Sequence, residues 1–120
     1  MQYIVKRGIN SIMKYSKELL KGSTPTLVLS VLYSKDLYGY MIIRELEVRS
    51  ENAFEMSEGT LYPILHALEK EKLLDSYWKE CDGRRRKYYH ITKKGINQYQ
   101  KNKQEWLEFS SDVKKVLSFA

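Results

Sequence analysis

The chain has 120 residues, of which 42% are apolar and 12% aromatic, so it can form one modest hydrophobic core and is not a disordered polyelectrolyte. Its 21 Lys and Arg against 15 Asp and Glu give a net charge of +6, which attracts nucleic acid and acidic membranes. The sequence contains no membrane-spanning apolar run and no secretory signal pattern, and its single cysteine, Cys81, suits a reducing compartment. A cytoplasmic protein with no membrane partner is therefore expected.

The N-terminal segment, residues 1–23, is predicted to be an amphipathic helix. Its lysines lie largely away from one apolar face, which consists of Ile4, Val5, Ile9, Ile12, Met13, Leu19 and Leu20. Gly8 weakens the first part of this helix. Such a helix suits an acidic membrane surface or, in the interpretation we favour, a helix of a partner chain.

Two further helices are predicted in the next 30 or so residues. Pro25 suits the first turn of a helix that contains the nearly continuous apolar run of residues 26–33. Residues 34–36 interrupt this run, and residues 39–48 again have apolar side chains at helical spacing. Residues 50–52 end this second helix.

A third helix is predicted to start near Ser57. Its apolar side chains recur at intervals of three and four and bury one face, which leaves the opposite face free for contact; they are Leu61, Ile64, Leu65, Leu68, Leu73 and Leu74. Pro63 is expected in the first turn of this helix, where its missing N–H would have had no intrahelical partner.

The pattern then changes to the alternation of a β-hairpin, with a turn at Asp82 and Gly83. Four cations are expected at the tip of this hairpin and repel one another unless solvent or a polyanion compensates them: Arg84, Arg85, Arg86 and Lys87. A run of cations alone is more often a solvated surface, but its position beside a helix that fits a DNA groove favours duplex DNA. Helices followed by a hairpin form the order of a winged helix-turn-helix.

Thr92 is predicted to cap a long C-terminal helix that ends near Val116. One seam of this helix follows a heptad pattern through Ile96, Tyr99, Lys103, Trp106, Ser110, Val113 and Leu117. Two of these residues are polar, so we expect the seam to pack against another helix with gaps that can become space for a ligand.

The predicted fold class is mainly α with a small β-hairpin wing. It comprises an N-terminal helical segment (residues 1–23), a winged helix-turn-helix domain (residues 24–92) and a long C-terminal dimerisation helix (residues 93–120).

Three segments together, LYGYMIIREL, SEGTLYPILHALEKEKLL and SYWKECDGRRRKYYHITKKG, resemble the PadR family of bacterial transcriptional regulators. The resemblance runs from about Lys14 to about Leu117. It implies a winged helix-turn-helix repressor that dimerises through its C-terminal helix, binds an inverted-repeat operator and releases it on a small-molecule or stress signal. Residues 1–12 precede the usual start of such proteins and are either extra or reflect an upstream start.

By the family pattern the helix that starts near Ser57 is the recognition helix. The predicted DNA-binding residues lie in this helix, at the start of the preceding helix and in the wing: Tyr38, Tyr40, Ser57, Glu58, Thr60, Tyr62, Gly83, Arg84, Arg85, Arg86 and Lys87. The two tyrosines before the recognition helix suit either phosphate contact or core packing. The wing cations should add affinity and salt dependence more than sequence choice.

The resemblance also implies a dimer interface and a ligand site on the C-terminal helix. The predicted dimerisation residues are Ile96, Tyr99, Trp106, Val113 and Leu117. Some PadR relatives that bind planar drugs place a tryptophan of each subunit across an apolar pore, which makes Trp106 and Ser110 candidate contacts for a small aromatic effector. The simpler interpretation is that Trp106 fills the dimer core.

Catalysis, a cofactor and a metal site are not expected. His66 and His90 have no nucleophile, paired acid or phosphate loop around them, and Cys81, Asp82 and His90 fall short of a standard ligand set. Two alternatives to a DNA-binding regulator remain. One is an adaptor that binds another protein and has only non-specific nucleic-acid affinity, and the other, less favoured, is a single-stranded RNA binder that stacks bases on Tyr88 and Tyr89.

Overall fold

A computed structural model describes residues 14–120 of the chain. The elements are, in chain order, α1 (Lys17–Leu20), α2 (Thr24–Leu32), β1 (Leu37–Tyr38), α3 (Gly39–Arg49), α4 (Glu58–Lys70), β2 (Leu74–Cys81), β3 (Arg84–Ile91) and α5 (Lys93–Leu117). The three strands form one antiparallel sheet with the order β1-β3-β2. The prediction of a mainly helical fold with a small wing is confirmed.

The hydrophobic core lies between α2, α3, α4 and one face of the sheet. Helix α2 lies at its centre, which explains its nearly continuous apolar sequence, and Pro25 occupies its first turn as predicted. The largest fully buried side chains come from every layer and include Leu29, Leu32, Ile42, Leu61, Leu65, Leu74 and Tyr89. Each buried leucine contributes roughly 1.5–3 kcal/mol of transfer free energy, so this core holds the wing against the helices.

The sequence pattern missed strand β1. Leu37 pairs with Tyr89, and Tyr38 pairs with Tyr88. Two residues are too few to show the alternation by which a strand is recognised, and this strand exists because β3 offers a free edge.

The expected position of Pro63 was wrong. The side chain of Ser57 accepts a hydrogen bond from the backbone N–H of Thr60, so the helix begins at Glu58 and Pro63 falls inside it, in the second turn. Proline removes the donor for the carbonyl of Gly59. Both residues are exposed, so water can satisfy that carbonyl and the helix continues to Lys70.

The four wing cations are not at the tip of the hairpin. The turn is formed by Asp82 (φ 53°) and Gly83 (φ 77°), as predicted, but Arg84 to Lys87 already belong to β3. Asp and Gly both tolerate the left-handed backbone that a tight hairpin turn needs. Side chains along a strand point alternately to opposite faces, so these cations are divided between the two faces of the wing.

Most of the apolar face predicted for the N-terminal segment, from Ile4 to Met13, lies outside the described residues. Within residues 14–23 only a single turn, Lys17–Leu20, is helical. Ser16 caps this turn by accepting a hydrogen bond from the N–H of Leu19 at 3.4 Å, so the continuous helix that we predicted does not extend over residues 14–16.

Thr92 caps helix α5, as predicted. Its hydroxyl accepts a hydrogen bond from the N–H of Gly95 at 3.0 Å and donates to the carbonyl of Lys72 at 2.8 Å, which fixes the helix to the base of the hairpin. The first half of α5 packs on α2, whereas its second half is exposed. No helix in residues 14–120 is long and apolar enough to cross a bilayer.

Candidate nucleic-acid interface

Helix α4 has one buried and one exposed side. Its buried side chains Leu61, Leu65 and Leu68 enter the core, and the opposite side, which includes Gly59, Thr60, Pro63, His66, Ala67 and Lys70, is exposed. This confirms that one face of the helix is free. The N-terminal end of a helix carries a partial positive charge and unpaired N–H groups, both of which favour phosphate.

A groove of about 400 Å³ separates the N-terminal half of α4 from the wing. Most of the predicted DNA-binding residues line it: Tyr38, Tyr40, Glu58, Tyr62, Arg85, Arg86 and Lys87. Ser57 and Thr60 lie outside the groove at the start of α4, and Gly83 and Arg84 lie outside it at the turn of the hairpin. The fold therefore brings together residues that are up to about 50 positions apart in the sequence.

Four residues that line the groove were not predicted from the sequence: Gly39, His66, Trp78 and Tyr89. His66 follows Tyr62, and Tyr62 follows Glu58, at intervals of four, so the three form a row along α4 that this spacing signalled. Trp78, which is 57% exposed, stands opposite Lys87 in the hairpin. Tyr89 lies deepest, and its burial, together with the nearby Glu69 and Tyr62, raises the pKa of its hydroxyl to about 12.

Gly39 allows α3 to approach α4 closely. A Cβ at this position would lie 2.5 Å from the hydroxyl oxygen of Tyr62. Tyr62 is half-buried and also packs against the core, so it is both a wall of the groove and a spacer between the two helices. Close packing against Tyr62 therefore explains why a glycine stands between Tyr38 and Tyr40.

The wing cations on the inner side of the groove have different partners. The guanidinium of Arg85 lies over the ring of Trp78, 5.2 Å from its centroid. Lys87 instead forms an ion pair of 3.6 Å with Glu69, which also accepts a hydrogen bond of 2.6 Å from Ser76. The charge of Lys87 is therefore largely compensated within the domain, although we predicted a DNA contact for it.

The outer face of the sheet carries an aromatic stack. Tyr88 lies between Tyr38 and Tyr77, with ring centroids 5.4 Å and 5.7 Å apart, respectively. The guanidinium of Arg86 covers Tyr38, 4.4 Å from the ring centroid. A hydrogen bond with Cys81 is the main reason why the pKa of Tyr88 is raised to about 12. Tyr38, one of the candidate phosphate contacts, is thus engaged with its neighbours on this face.

Asp36 ties the segment before β1 to both wing strands. The hydroxyl of Tyr77 donates to one carboxylate oxygen at 2.6 Å, and Nδ1 of His90 lies 2.9 Å from the other. Burial alone would raise the pKa of Asp36, but the hydrogen bonds from Tyr77 and His90, together with the charges of His90 and Lys79, lower it below its ordinary value of 3.8.

Asp36→Asn is expected to weaken the acid dependence of folding. Because the fold lowers the pKa of Asp36, the carboxylate stabilises the protein above pH 3.8, and this contribution is lost as the pH falls through and below that value. The amide side chain of asparagine does not titrate in this pH range. The free energy of unfolding of the variant, measured with urea at a series of pH values, should therefore change less with pH than that of the wild type. Asp112→Asn, at a side chain that is 71% exposed, is the control and should behave like the wild type. A wild-type slope in Asp36→Asn would contradict the role of Asp36.

The second half of α5 exposes a stripe of apolar side chains. Trp106 is 52% and Val113 36% exposed, and their exposed apolar neighbours are Leu107, Phe109, Val116 and Leu117. The heptad seam that starts at Ile96 does not include Leu107, Phe109 and Val116, so the sequence pattern did not predict that they belong to the stripe. Ile96 and Tyr99, two of the predicted dimerisation residues, are partly buried against the core of their own chain, and the ring of Tyr99 lies 5.2 Å from that of Tyr33.

A shallow groove of about 360 Å³ lies between α5 and the start of α2. Trp106 and Phe109 form its apolar wall, and Thr26, Asn102 and Glu105 contribute polar atoms. Asn102 donates a hydrogen bond of 3.2 Å to the hydroxyl of Thr26. Ser110, the other candidate ligand contact, does not line this groove and donates its hydroxyl to the carbonyl of Leu107 at 3.3 Å.

The remaining polar side chains do not assemble a metal site in residues 14–120. Cys81 faces Arg84 next to the turn of the hairpin, whereas His90 faces Asp75 near its base. The length of the hairpin therefore keeps the thiol and the imidazole apart.

Three core helices followed by a hairpin that packs beside the third define a winged helix-turn-helix protein. Residues 28–101, more than half of the chain, match the model of the transcriptional regulator PadR-like family. The chain therefore belongs to the PadR-like family of transcriptional regulators.

Individual relatives agree with this assignment. The chain is 33% identical to a transcriptional regulator of Mycobacterium tuberculosis over 66% of its own length and 71% of that protein. Its fold is similar to a transcriptional regulator from Clostridium thermocellum (TM-score 0.76, 32% identity, covering 82% of this chain and 97% of that one). It is also similar to a PadR family transcription regulator from Clostridium difficile (TM-score 0.71, 36% identity, covering 80% and 99%).

Proposed function

We propose that this chain is a homodimeric repressor of the PadR type that binds an inverted-repeat DNA operator and releases it on a small-molecule or stress signal. The observation that carries the proposal is the groove between α4 and the wing, where tyrosine hydroxyls and cations face one concave surface. We place the DNA-binding domain at residues 24–92 and the dimerisation helix at residues 93–120, and the site of action in the cytoplasm, where bacterial operators are.

The exposed side of α4 is the proposed reader of the DNA bases. The major groove of duplex DNA is wide enough to admit an α-helix. Glu58 and Thr60 lie in the first turn of α4, and recognition helices contact base edges with their N-terminal residues. The wing then reaches the backbone or the minor groove beside the helix. The net charge of +6 adds a long-range attraction that does not depend on sequence.

In this proposal a second copy of the chain packs against the exposed apolar stripe of α5 and buries it. Exposed side chains such as Trp106, Phe109 and Val113 form a contiguous apolar surface beyond the part of the helix that packs on α2. A two-fold symmetric pair of such helices would place two recognition helices about one DNA turn apart, which an inverted repeat requires.

The effector site would lie at this dimer interface. In one chain the groove beside Trp106 is open, and a second copy packed against α5 would enclose it. An aromatic effector would stack on the indole of Trp106, and Asn102 and Glu105 would provide polar contacts. In this proposal the effector acts by shifting the relative position of the two recognition helices.

The test is a titration of the purified protein against the duplex that precedes its own coding sequence and against a scrambled duplex, at two salt concentrations, with the mass of the complex recorded. Tight and selective binding by a dimer supports the proposal. Weak binding that is equal on both duplexes and disappears with salt would overturn it and favour the protein-interaction adaptor.

Thr60→Ala is expected to reduce the preference for the operator over the scrambled duplex by roughly fivefold, which corresponds to ~1 kcal/mol for one base contact. Thr60 is exposed, and within residues 14–120 its hydroxyl accepts one hydrogen bond, from the hydroxyl of Ser57 at 3.2 Å. Lys70→Ala, at the exposed far end of α4, is the control and should weaken binding to both duplexes alike. Equal losses on both duplexes for Thr60→Ala would rule out base reading by this residue.

A further inference from the structure

The cations of the wing belong to two different faces. In the hairpin Arg85 pairs with Glu80 and Arg86 with Lys79. Because faces alternate, Arg85 shares the inner face with Trp78 and Tyr89, next to α4, whereas Arg86 shares the outer face with Tyr88. Two adjacent arginines of one run therefore leave the strand on opposite faces of the sheet, although both contribute atoms to the lining of the groove.

Arg86 is enclosed by its neighbours. It is half-buried, and its guanidinium lies over the ring of Tyr38 at 4.4 Å, a distance typical of a strong cation–π contact. Its Nε is buried and has no hydrogen-bond partner within residues 14–120, and the ring of Tyr38 beneath the guanidinium packs in turn on Tyr88. Charge and packing hold this side chain against β1.

Arg85 is exposed and forms no ion pair within residues 14–120. Its guanidinium lies over the face of Trp78, itself 57% exposed, at 5.2 Å from the ring centroid. Lys87 on the same face is already paired with Glu69. Of the three wing cations that line the groove, Arg85 is therefore the one that is exposed and is neither paired with a carboxylate nor enclosed by the aromatic stack.

We propose that Trp78 positions Arg85 as the phosphate contact of the wing, and that Arg86 stabilises the wing by closing the stack over Tyr38 and does not contact DNA. The proposal rests on the proposed DNA-binding function and assigns roles within it. A free arginine side chain has many rotamers, and resting its guanidinium on a ring reduces the entropy lost when it meets a phosphate. Trp78 is thus a positioning residue that acts through Arg85.

The first experiment measures how DNA affinity depends on salt. Binding to a mixed-sequence duplex is titrated over a series of salt concentrations for the wild type, Arg85→Ala and Arg86→Met. Arg85→Ala should reduce the slope of log affinity against log salt by about 0.9, the value for one phosphate contact, at an unchanged melting temperature. Arg86→Met, which keeps an apolar stem on Tyr38, should leave the slope unchanged and lower the melting temperature. Equal slope losses for the two variants would overturn the division of roles.

The second experiment tests whether Trp78 acts through Arg85. Trp78→Ala should weaken binding about 2- to 5-fold, as expected for the loss of one exposed cation–π contact, and Trp78→Phe should restore most of this loss. In a protein that already carries Arg85→Ala, adding Trp78→Ala should not weaken DNA binding further. Additive losses would show that Trp78 does not work through Arg85 and would overturn its positioning role.

A third measurement needs no DNA. The chain has two tryptophans, so Trp106→Phe leaves Trp78 as the sole indole emitter. Adding Arg85→Ala to this variant should shift the Trp78 emission, whereas adding Arg86→Met should not. An unshifted emission would overturn the Trp78–Arg85 pairing. If the wild type does not bind DNA, the proposed function is wrong as well. The emission shift tests the Trp78–Arg85 contact without DNA, so the two failures can be told apart.

Discussion

Val113→Glu is expected to convert the proposed dimer into a monomer and to lower affinity for the proposed operator by about 100-fold or more, because two linked half-sites gain this much from avidity. Val113 lies in the middle of the exposed stripe of α5, between Trp106 and Val116, and is 36% exposed in one chain. A carboxylate there would have to be buried without a partner when two copies meet, and such a burial costs more than a modest interface provides.

The matched control is Ser111→Glu, which introduces the same charge two residues earlier on the exposed helix and thus on nearly the opposite side. It should remain dimeric and bind the operator like the wild type. Light scattering gives the mass, and titration with the operator duplex gives the affinity. If Val113→Glu is a monomer with undiminished operator affinity, the dimeric mode of binding is wrong.

Gly95→Ala is expected to destabilise the fold by about 1–3 kcal/mol, although alanine is usually the more stable residue in a helix. A Cβ on Gly95 would overlap the backbone carbonyl of Leu73 and would lie 2.8 Å from the side chain of Ile91. That carbonyl cannot easily move, because it accepts a hydrogen bond from the backbone N–H of Thr92 at 3.0 Å. Helix α5 would have to shift away from the base of the wing.

Gly59→Ala is the matched control, since Gly59 also lies in a helix but is exposed, and a Cβ there would meet nothing closer than the Ser57 hydroxyl at 3.9 Å. This variant should gain about 0.5–1 kcal/mol from reduced backbone entropy in the unfolded chain. Urea unfolding of both variants gives the two free energies. Similar changes of the same sign would contradict the close packing of Gly95.

Local sequence determined the parts of this fold that depend on neighbouring residues. Ser57 and Thr92 cap their helices, and Asp82 with Gly83 forms the hairpin turn, because each of these signals acts within a few residues of the chain. The apolar spacing of α4 was sufficient to separate its buried face from its exposed one. The sequence also contained the three motifs that resemble the PadR family.

Other features arise only when segments that are distant in the sequence come together in the fold. Strand β1 forms because β3 offers it an edge. Ile96 and Tyr99 of α5 are partly buried against the core of their own chain, which their heptad spacing alone did not indicate. Both arginines line the groove, but hairpin register and the place of β1 set the guanidinium of Arg85 on Trp78 and that of Arg86 on the aromatic stack of the opposite face. A run of identical cations has no periodicity, so its sequence could not distinguish these two environments.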